Sequence, residues 1–359
     1  MTRLLLLPGD GIGPEIVAAT RQVIEAADRR FALGLTLATA EIGFAAQETT
    51  GSTMPDAVLD EARQSDGIVM GPVSHNAYPP LADGGVNPSA ILRTGLDLFA
   101  NIRPARTRPG LPGPLGRPID LVIFRENTEG FYADRNMASG PGEMLADPDM
   151  ALALRKITRR ASARIADAAF AEASKRPARH VTAVHKANVL RLSDGLFLEE
   201  TRRAAAANPE ITYDEVLVDA MAAHLVRSPE RFDVIVTTNM FGDILSDLAS
   251  EISGGLGLAA SLNEGPRHAM AQAQHGSAPD LAGRDIANPV ALIGSTALLF
   301  DWIGRRTGQE TFRAAASSIE DAIDAALTDP ATRTPDLGGT GTTSGMARII
   351  ARATQESMQ

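Results

Sequence analysis

Leu4-Leu5-Leu6-Leu7-Pro8-Gly9-Asp10-Gly11-Ile12-Gly13-Pro14-Glu15 is the stretch that sets the fold. Four consecutive leucines read as a strand buried on both faces, because nothing alternates towards water. The glycines that follow make a tight turn, and Pro14 with Glu15 suits the first turn of a helix. Ile16, Val17, Thr20, Val23 and Ile24 continue that helix at the right spacing. The same order then recurs. Leu35–Ala40 reads as a strand, Pro55–Gln64 as a helix, and Gly67–Met70 as a strand ending at Gly71-Pro72. Leu121–Phe124, Val181–Val184 and Val234–Val236 are further short strands, each running into polar residues. Ala151–Ser174 reads as one long helix, with Ile157, Ala161, Ile165 and Ala168 on one face. This alternation predicts an α/β fold with a mostly parallel sheet covered by helices. Pro104–Pro118, rich in proline and glycine, reads as an exposed connection near a domain boundary, and Asn136–Met150 as an irregular arm.

The chain has 359 residues, 44% hydrophobic and 22% charged, which suits two domains. Its net charge of −10 and 4% aromatic content argue against a general nucleic-acid binder. An anionic metabolite remains possible, since local arginine clusters decide that. There is no cysteine, which excludes disulfides, Cys-ligated zinc, iron–sulfur clusters and thiolate nucleophiles. Carboxylates or histidines must then hold any metal, favouring Mg2+ or Mn2+. The longest apolar stretch, Val290–Phe300, is broken by Gly294-Ser295-Thr296 and is far short of the roughly 18 residues of a membrane span. A cytoplasmic protein is expected.

Several clusters carry chemistry. Arg93, Arg103 and Arg125 could bind a di- or tricarboxylate through paired hydrogen bonds, although any one of them taken alone is more often a solvated charge. Arg125 ends a strand, where side chains point into the usual ligand crevice of an α/β sheet. Asp243 and Asp247 are spaced i, i+4, on one helix face about 6 Å apart, where a cation would relieve their repulsion. Asp243 also reads as a first-turn residue, so the helix dipole alone could account for it. Asp219, after Val216–Val218, is a candidate third ligand. His185-Lys186-Ala187-Asn188 follows a strand directly, and Lys186 could serve as a base, although a lysine taken alone is more often a plain surface charge. His275-Gly276-Ser277-Ala278-Pro279-Asp280 and Ile286-Ala287-Asn288-Pro289 offer small residues that let backbone approach a ligand, or a plain surface loop. Gly9–Gly13 lacks the spacing of a dinucleotide-binding loop.

Together these segments resemble the metal-dependent β-decarboxylating dehydrogenases of 3-substituted malates: the isocitrate, isopropylmalate, homoisocitrate and tartrate/D-malate enzymes. The resemblance runs from Gly9–Glu15 through Asp219-Ala220-Met221 and Phe241–Asp247 to Gly338–Thr343. It implies two α/β domains sharing a mixed sheet, distinct from the Rossmann topology. One domain would comprise residues 1–100 plus 255–359. The other, 101–254, would carry the interface of a homodimer with an arm near 136–150 clasping the partner. The active site would lie between the domains and borrow residues from the neighbouring subunit.

The same resemblance implies the roles. Arg93, Arg103 and Arg125 would hold substrate carboxylates. Asp243 and Asp247, with Asp219 from the other subunit, would hold Mg2+ or Mn2+. Lys186, also from the other subunit, would take the hydroxyl proton, Tyr132 would protonate carbon, and Asn188 would touch substrate or nicotinamide. His275, Gly276, Ser277, Ala278, Asp280 and Asn288 would bind the cofactor. Members that use NADP carry Lys-Tyr where this chain has Asp280-Leu281. A carboxylate there accepts ribose hydroxyls and repels a 2′-phosphate, so NAD is expected. The 3-substituent would be read on Gly85–Arg93. The isopropylmalate pattern of a Glu and two leucines is replaced by Val86, Ser89 and Ala90. Asn87 and Ser89 are the two isocitrate types exchanged, which favours a polar substituent. Ser74-His75-Asn76-Ala77-Tyr78-Pro79-Pro80 matches no member's pattern. Isopropylmalate dehydrogenase proper, a tartrate/D-malate enzyme and a non-catalytic regulatory subunit are the alternatives.

Overall fold

In the computed structural model, which describes residues 1–132, 137, 140 and 142–356, the chain forms two compact units. The first takes in 1–96, 108–112 and 254–359, the second 97–107 and 113–253.

In the first unit the strands run in the order β2-β1-β3-β12-β11. These are β1 (Thr2–Leu7), β2 (Leu35–Thr39), β3 (Gly67–Met70), β11 (Leu262–Glu264) and β12 (Ala269–Gln272). All neighbours are parallel except β11 with β12. Leu7 pairs with Met70, and Met70 with Gln272, so three adjacent parallel strands end together on one edge. Leu4–Leu7 are fully buried, as an unalternating run requires. Helix α1 (Gly13–Phe31) starts with Pro14 and Glu15 in its first turn and ends with Arg29 and Arg30 in its last, which complements its dipole at both ends. Helix α9 (Val290–Thr307) is buried on nearly every side and packs against α10 (Glu310–Thr328). Its apolar run is the core of this unit.

The second unit has the order β4-β5-β10-β8-β9. Its strands are β4 (Ala100–Arg106), β5 (Asp120–Glu126), β8 (His180–His185), β9 (Thr212–Leu217) and β10 (Val234–Thr237). Only β4 is antiparallel to its neighbour. Residues of β5 alternate between two cores. Val122 and Phe124 pack with Ile165, Phe170 and Phe197, while Leu121 and Ile123 pack with Met221, Leu225 and Leu245. The helices here are α5 (Arg159–Ala173), α6 (Ser193–Ala207), α7 (Val218–Arg227) and α8 (Asn239–Ser253). Each unit is therefore a helix-covered, mostly parallel sheet, as the strand–helix alternation predicts.

Four local expectations are corrected. The helix read over Ala151–Ser174 begins only at Arg159, where Thr158 caps it by accepting from the amide of Ala161. The residues before it form β7 (Met150–Ala153), paired antiparallel with β6 (Glu143–Asp147). The arm read as irregular is therefore partly a two-stranded ribbon, all of it exposed; positions 136, 138, 139 and 141 lie outside the described residues. Pro104–Arg106 belongs to β4, and Arg108 is buried on Glu320 (2.7 Å) and Asp324 (2.8 Å) rather than exposed. Helix α8 starts at Asn239, so Asp243 lies in its second turn and the helix dipole no longer explains it.

Candidate active site

The chemistry-bearing residues of the second unit come from the same ends of parallel strands. Thr237 of β10 pairs with Arg125 of β5 and Val184 of β8, and His185 pairs with Leu217 of β9. The segments leaving that edge carry Tyr132, Asp243 and Asp247, Lys186 and Asn188, and Asp219. This is where ligands bind in sheets of this type.

Arg125 is the most deeply set of them, about 2% exposed. Its Nε donates to Asn239 Oδ1 (2.9 Å), one terminal nitrogen donates to Asp243, and the other donates to Tyr132 Oη (2.7 Å). The Tyr132 hydroxyl donates in turn to Asp243 Oδ2 (2.6 Å). Arg103 lies beside them, held by Asn101 and by Ser246 Oγ (2.6 Å), and its Nη1 sits 3.1 Å from Asp243 and 3.4 Å from Asp247. Burial lowers the Arg103 guanidinium to about 10, with neighbouring Arg125 pushing the same way. Burial raises the Asp247 carboxyl above the usual range, Arg103 opposes this, and Asp243 adds to it. Two buried cations thus meet two carboxylates in one knot. The carboxylates are hard oxygen donors at i, i+4, which fits Mg2+ or Mn2+. Among the described residues no group of three His, Asp or Glu side chains is placed to share a metal within one chain.

Asp219 is elsewhere, in the first turn of α7, where its Oδ1 meets Lys186 Nζ at 2.5 Å. That ammonium holds the Asp219 carboxyl below the usual range. The backbone of Lys186 is fixed by Asp194, which is fully buried and paired with Arg155 at 2.5 Å. Asn188 is exposed on the turn that follows.

In the first unit, Arg93 and Ser89 lie on α4 (Pro88–Gly95), whose N-terminus Asn87 caps by accepting from the amide of Ala90. Ser89 Oγ (3.1 Å) and Arg93 Nη2 (3.0 Å) both donate to Gln272 Oε1. On the same edge a cavity of about 520 Å3 is lined by Ile12, His275, Gly276, Ala278, Asn288 and Asp336, among others. Burial holds the His275 imidazole below its ordinary value, so it is neutral at pH 7. Its Nε2 is buried without a hydrogen-bond partner among the described residues, which suits a polar ligand in this cavity. Asn288 donates to Asp336 Oδ2 (2.9 Å) and accepts from the amide of Val290 (3.0 Å). Ser277 is buried behind the cavity wall, and Asp280 is exposed on the one-turn helix Pro279–Leu281.

Sequence reasoning missed the partners that aim these groups. Asn239, Asn101, Ser246, Asp194 and Gln272 are all buried polar residues bonded to site residues. Asn101 had a signal, since it stands two residues before Arg103 on one strand face. Gln272 had none within its own segment.

The model of the isocitrate/isopropylmalate dehydrogenase family matches residues 3–350. The chain belongs to that family. It is 41% identical over 353 residues to an isocitrate/homoisocitrate dehydrogenase of Thermus thermophilus, covering 98% of each chain. It is 40% identical over 350 residues to a 3-isopropylmalate dehydrogenase of Methanothermobacter thermautotrophicus, again with 98% of each covered. The crystal structure of an isocitrate dehydrogenase from Methylococcus capsulatus superimposes with a TM-score of 0.87 at 40% identity, over 99% of this chain and 100% of that one. This member of the isocitrate/isopropylmalate dehydrogenase family is therefore an oxidoreductase. Among its described residues no helix is long and apolar enough to cross a membrane.

Proposed function

We propose that this family member catalyses NAD- and Mg2+- or Mn2+-dependent oxidative decarboxylation of a malate with a polar 3-substituent. The knot of Arg103, Arg125, Tyr132, Asp243 and Asp247 is the observation that carries this reading. It holds, preformed, two guanidinium groups for carboxylates, two oxygen donors for a hard cation and one phenol for a proton.

Arg93, Arg103 and Arg125 bind the substrate's carboxylates and orient the C–H bond. Asp243 and Asp247, with Asp219 of the neighbouring subunit, would hold a divalent ion that would supply Lewis-acid polarisation at the carbon being oxidised, and NAD bound on the 275–288 residues would supply the hydride acceptor. Lys186 of that same neighbouring subunit takes the hydroxyl proton. CO2 leaves from the β-position, and Tyr132, poised between Arg125 and Asp243, delivers a proton to the carbon it vacates. Asn188 contacts substrate or nicotinamide. Asp280 accepts the adenosine ribose hydroxyls, while His275, Gly276, Ala278 and Asn288 form the dinucleotide wall and Ser277 backs it. The enzyme works as a homodimer in the cytoplasm, its terminal domain (1–100, 255–359) on the cofactor side and its middle domain (101–254) carrying the interface, where the exposed apolar ribbon Met144, Leu145, Met150 and Leu152 suits a partner.

The preference for a polar substituent rests on Ser89, Arg93 and Gln272. The isopropylmalate pattern has apolar residues on this helix, whereas here a hydroxyl and a guanidinium converge on one amide oxygen. A panel of 3-substituted malates, followed by NADH absorbance with kcat/KM compared, tests both parts. Isocitrate-type substrates should exceed isopropylmalate. The reverse order overturns the substituent preference, and no turnover of any member of the panel overturns the reaction.

A further inference from the structure

The Ser74–Pro80 segment has no part in the reaction derived above, yet it is tied into the edge where β1, β3 and β12 end together. The Asp10 carboxylate, about 6% exposed, is the tie point. Its Oδ1 accepts from the amide of Phe44 (2.8 Å), and its Oδ2 accepts from the amide of Ser74 (2.8 Å) and from the Tyr78 hydroxyl. Three donors from two chain segments therefore close on one carboxylate. The Tyr78 ring also stands edge-on to Phe44, with centroids 5.0 Å apart. Burial, reinforced by the bond to Asp10, raises the Tyr78 phenol far above its ordinary value, so it stays a neutral donor.

From Ser74 the chain of contacts continues into the cavity wall. Ser74 Oγ lies 2.7 Å from Ser277 Oγ, and the amide of Ile12 donates to Ser277 O (2.8 Å). Gly11 comes so close that a Cβ there would lie 2.0 Å from that same carbonyl oxygen. Ser277 is flanked by Gly276 and Ala278, which line the cavity together with Ile12. Ala278 has φ +36°, a left-handed conformation that a non-glycine residue keeps only when its surroundings enforce it.

We propose that Tyr78 is a positioning residue for dinucleotide binding: with Asp10 and Ser74 it forms a strap that holds the 275–278 loop in its binding conformation. The strap touches no ligand, and it acts through Ser277. Without it the loop must be ordered when the dinucleotide arrives, which weakens binding by the cost of that ordering. The proposal rests on the reading of this cavity as the cofactor site.

Tyr78→Phe tests it cleanly, because it keeps the ring against Phe44 and removes only the donor. Binding of NAD to the full-length protein is measured by calorimetry, and amide hydrogen exchange is followed over 71–78 and 275–281. Loss of one hydrogen bond to a charged acceptor should raise the Kd for NAD about tenfold. Exchange should quicken in both segments, and KM should rise for NAD rather than for the hydroxy acid. A variant that only unfolds at lower temperature, with the Kd for NAD unchanged, overturns the strap. Wild-type protein that binds no NAD overturns the cofactor reading, and the strap's role falls with it. The two failures are thus told apart by the wild type alone.

Discussion

Arg125 and Asp243 are joined side chain to side chain, the guanidinium about 2% exposed and the carboxylate 39% exposed. The cation is fixed and the anion still reaches solvent. A buried arginine held at three nitrogens is oriented before any ligand arrives, while the half-exposed carboxylate keeps room for a metal.

Arg125→Lys keeps the charge and loses the fork that reaches Asn239, Asp243 and Tyr132 together. We expect kcat/KM for the hydroxy acid to fall about 100-fold or more with the protein still folded. Steady-state kinetics checks this, and a loss under about fivefold would show that charge alone suffices there.

Asp243→Asn and Asp247→Asn should each remove most turnover while leaving the circular dichroism spectrum intact, because an amide is a poor ligand for a hard divalent ion. Wild-type turnover that survives excess EDTA would sink the metal assignment.

Asp280 is exposed between Ala278 and Leu281, two residues that line the cavity of about 520 Å3, and is free of the packing that would confuse a charge reversal. Wild type should prefer NAD, and Asp280→Lys should narrow the NAD/NADP ratio of kcat/KM by about tenfold or more, through lost repulsion and gained attraction for the 2′-phosphate. A wild-type preference for NADP contradicts the role given to Asp280.

Lys186 and Asp219 meet each other at 2.5 Å, while Asp243 and Asp247 belong to a different cluster. If Lys186 serves the partner's site, Lys186→Ala and Asp243→Asn homodimers should both be nearly inactive. Subunit exchange between them should restore activity towards half of wild type per heterodimer, since one composite site then carries both defects and the other carries neither. Complete exchange by mass spectrometry with activity still at background defeats the shared site.

Glu129 is buried, and its oxygens accept from the amide (2.7 Å) and hydroxyl (2.9 Å) of Thr158. Burial pushes its carboxyl up to about 7, the Thr158 amide opposes, and Glu126 adds to the rise. A folded-state value above the unfolded one means that the proton favours the fold. That stabilisation is complete below about pH 4.5 and lost as pH rises through about 7. Glu129→Gln should therefore gain on wild type by on the order of 2 kcal/mol between pH 4.5 and 8, read from urea midpoints. A difference that stays flat with pH refutes the burial effect.

The sequence by itself determined the local events. Leu4–Leu7 had to be a buried strand, Pro14 and Glu15 had to open a helix, and polar residues directly after short apolar runs had to fall at strand ends. Runs, caps and spacings are set by neighbours a few residues away, so Arg125, Lys186, Asp219 and the Asp243/Asp247 pair were legible as candidates. Local pattern misled where it is ambiguous: apolar residues near Ala151 suit a helix or a strand, and only the pairing of Met150–Ala153 with Glu143–Asp147 decides for the ribbon. Tertiary structure alone decided which groups meet. Asn239 reaches Arg125 across 114 positions, Ser246 reaches Arg103 across 143, and Tyr78 reaches Asp10 across 68. Those contacts exist because strand pairing, parallel for β5 and β10 and antiparallel for β4, brings segments far apart in sequence together, and no spacing within a segment encodes the register of a strand that arrives a hundred residues later.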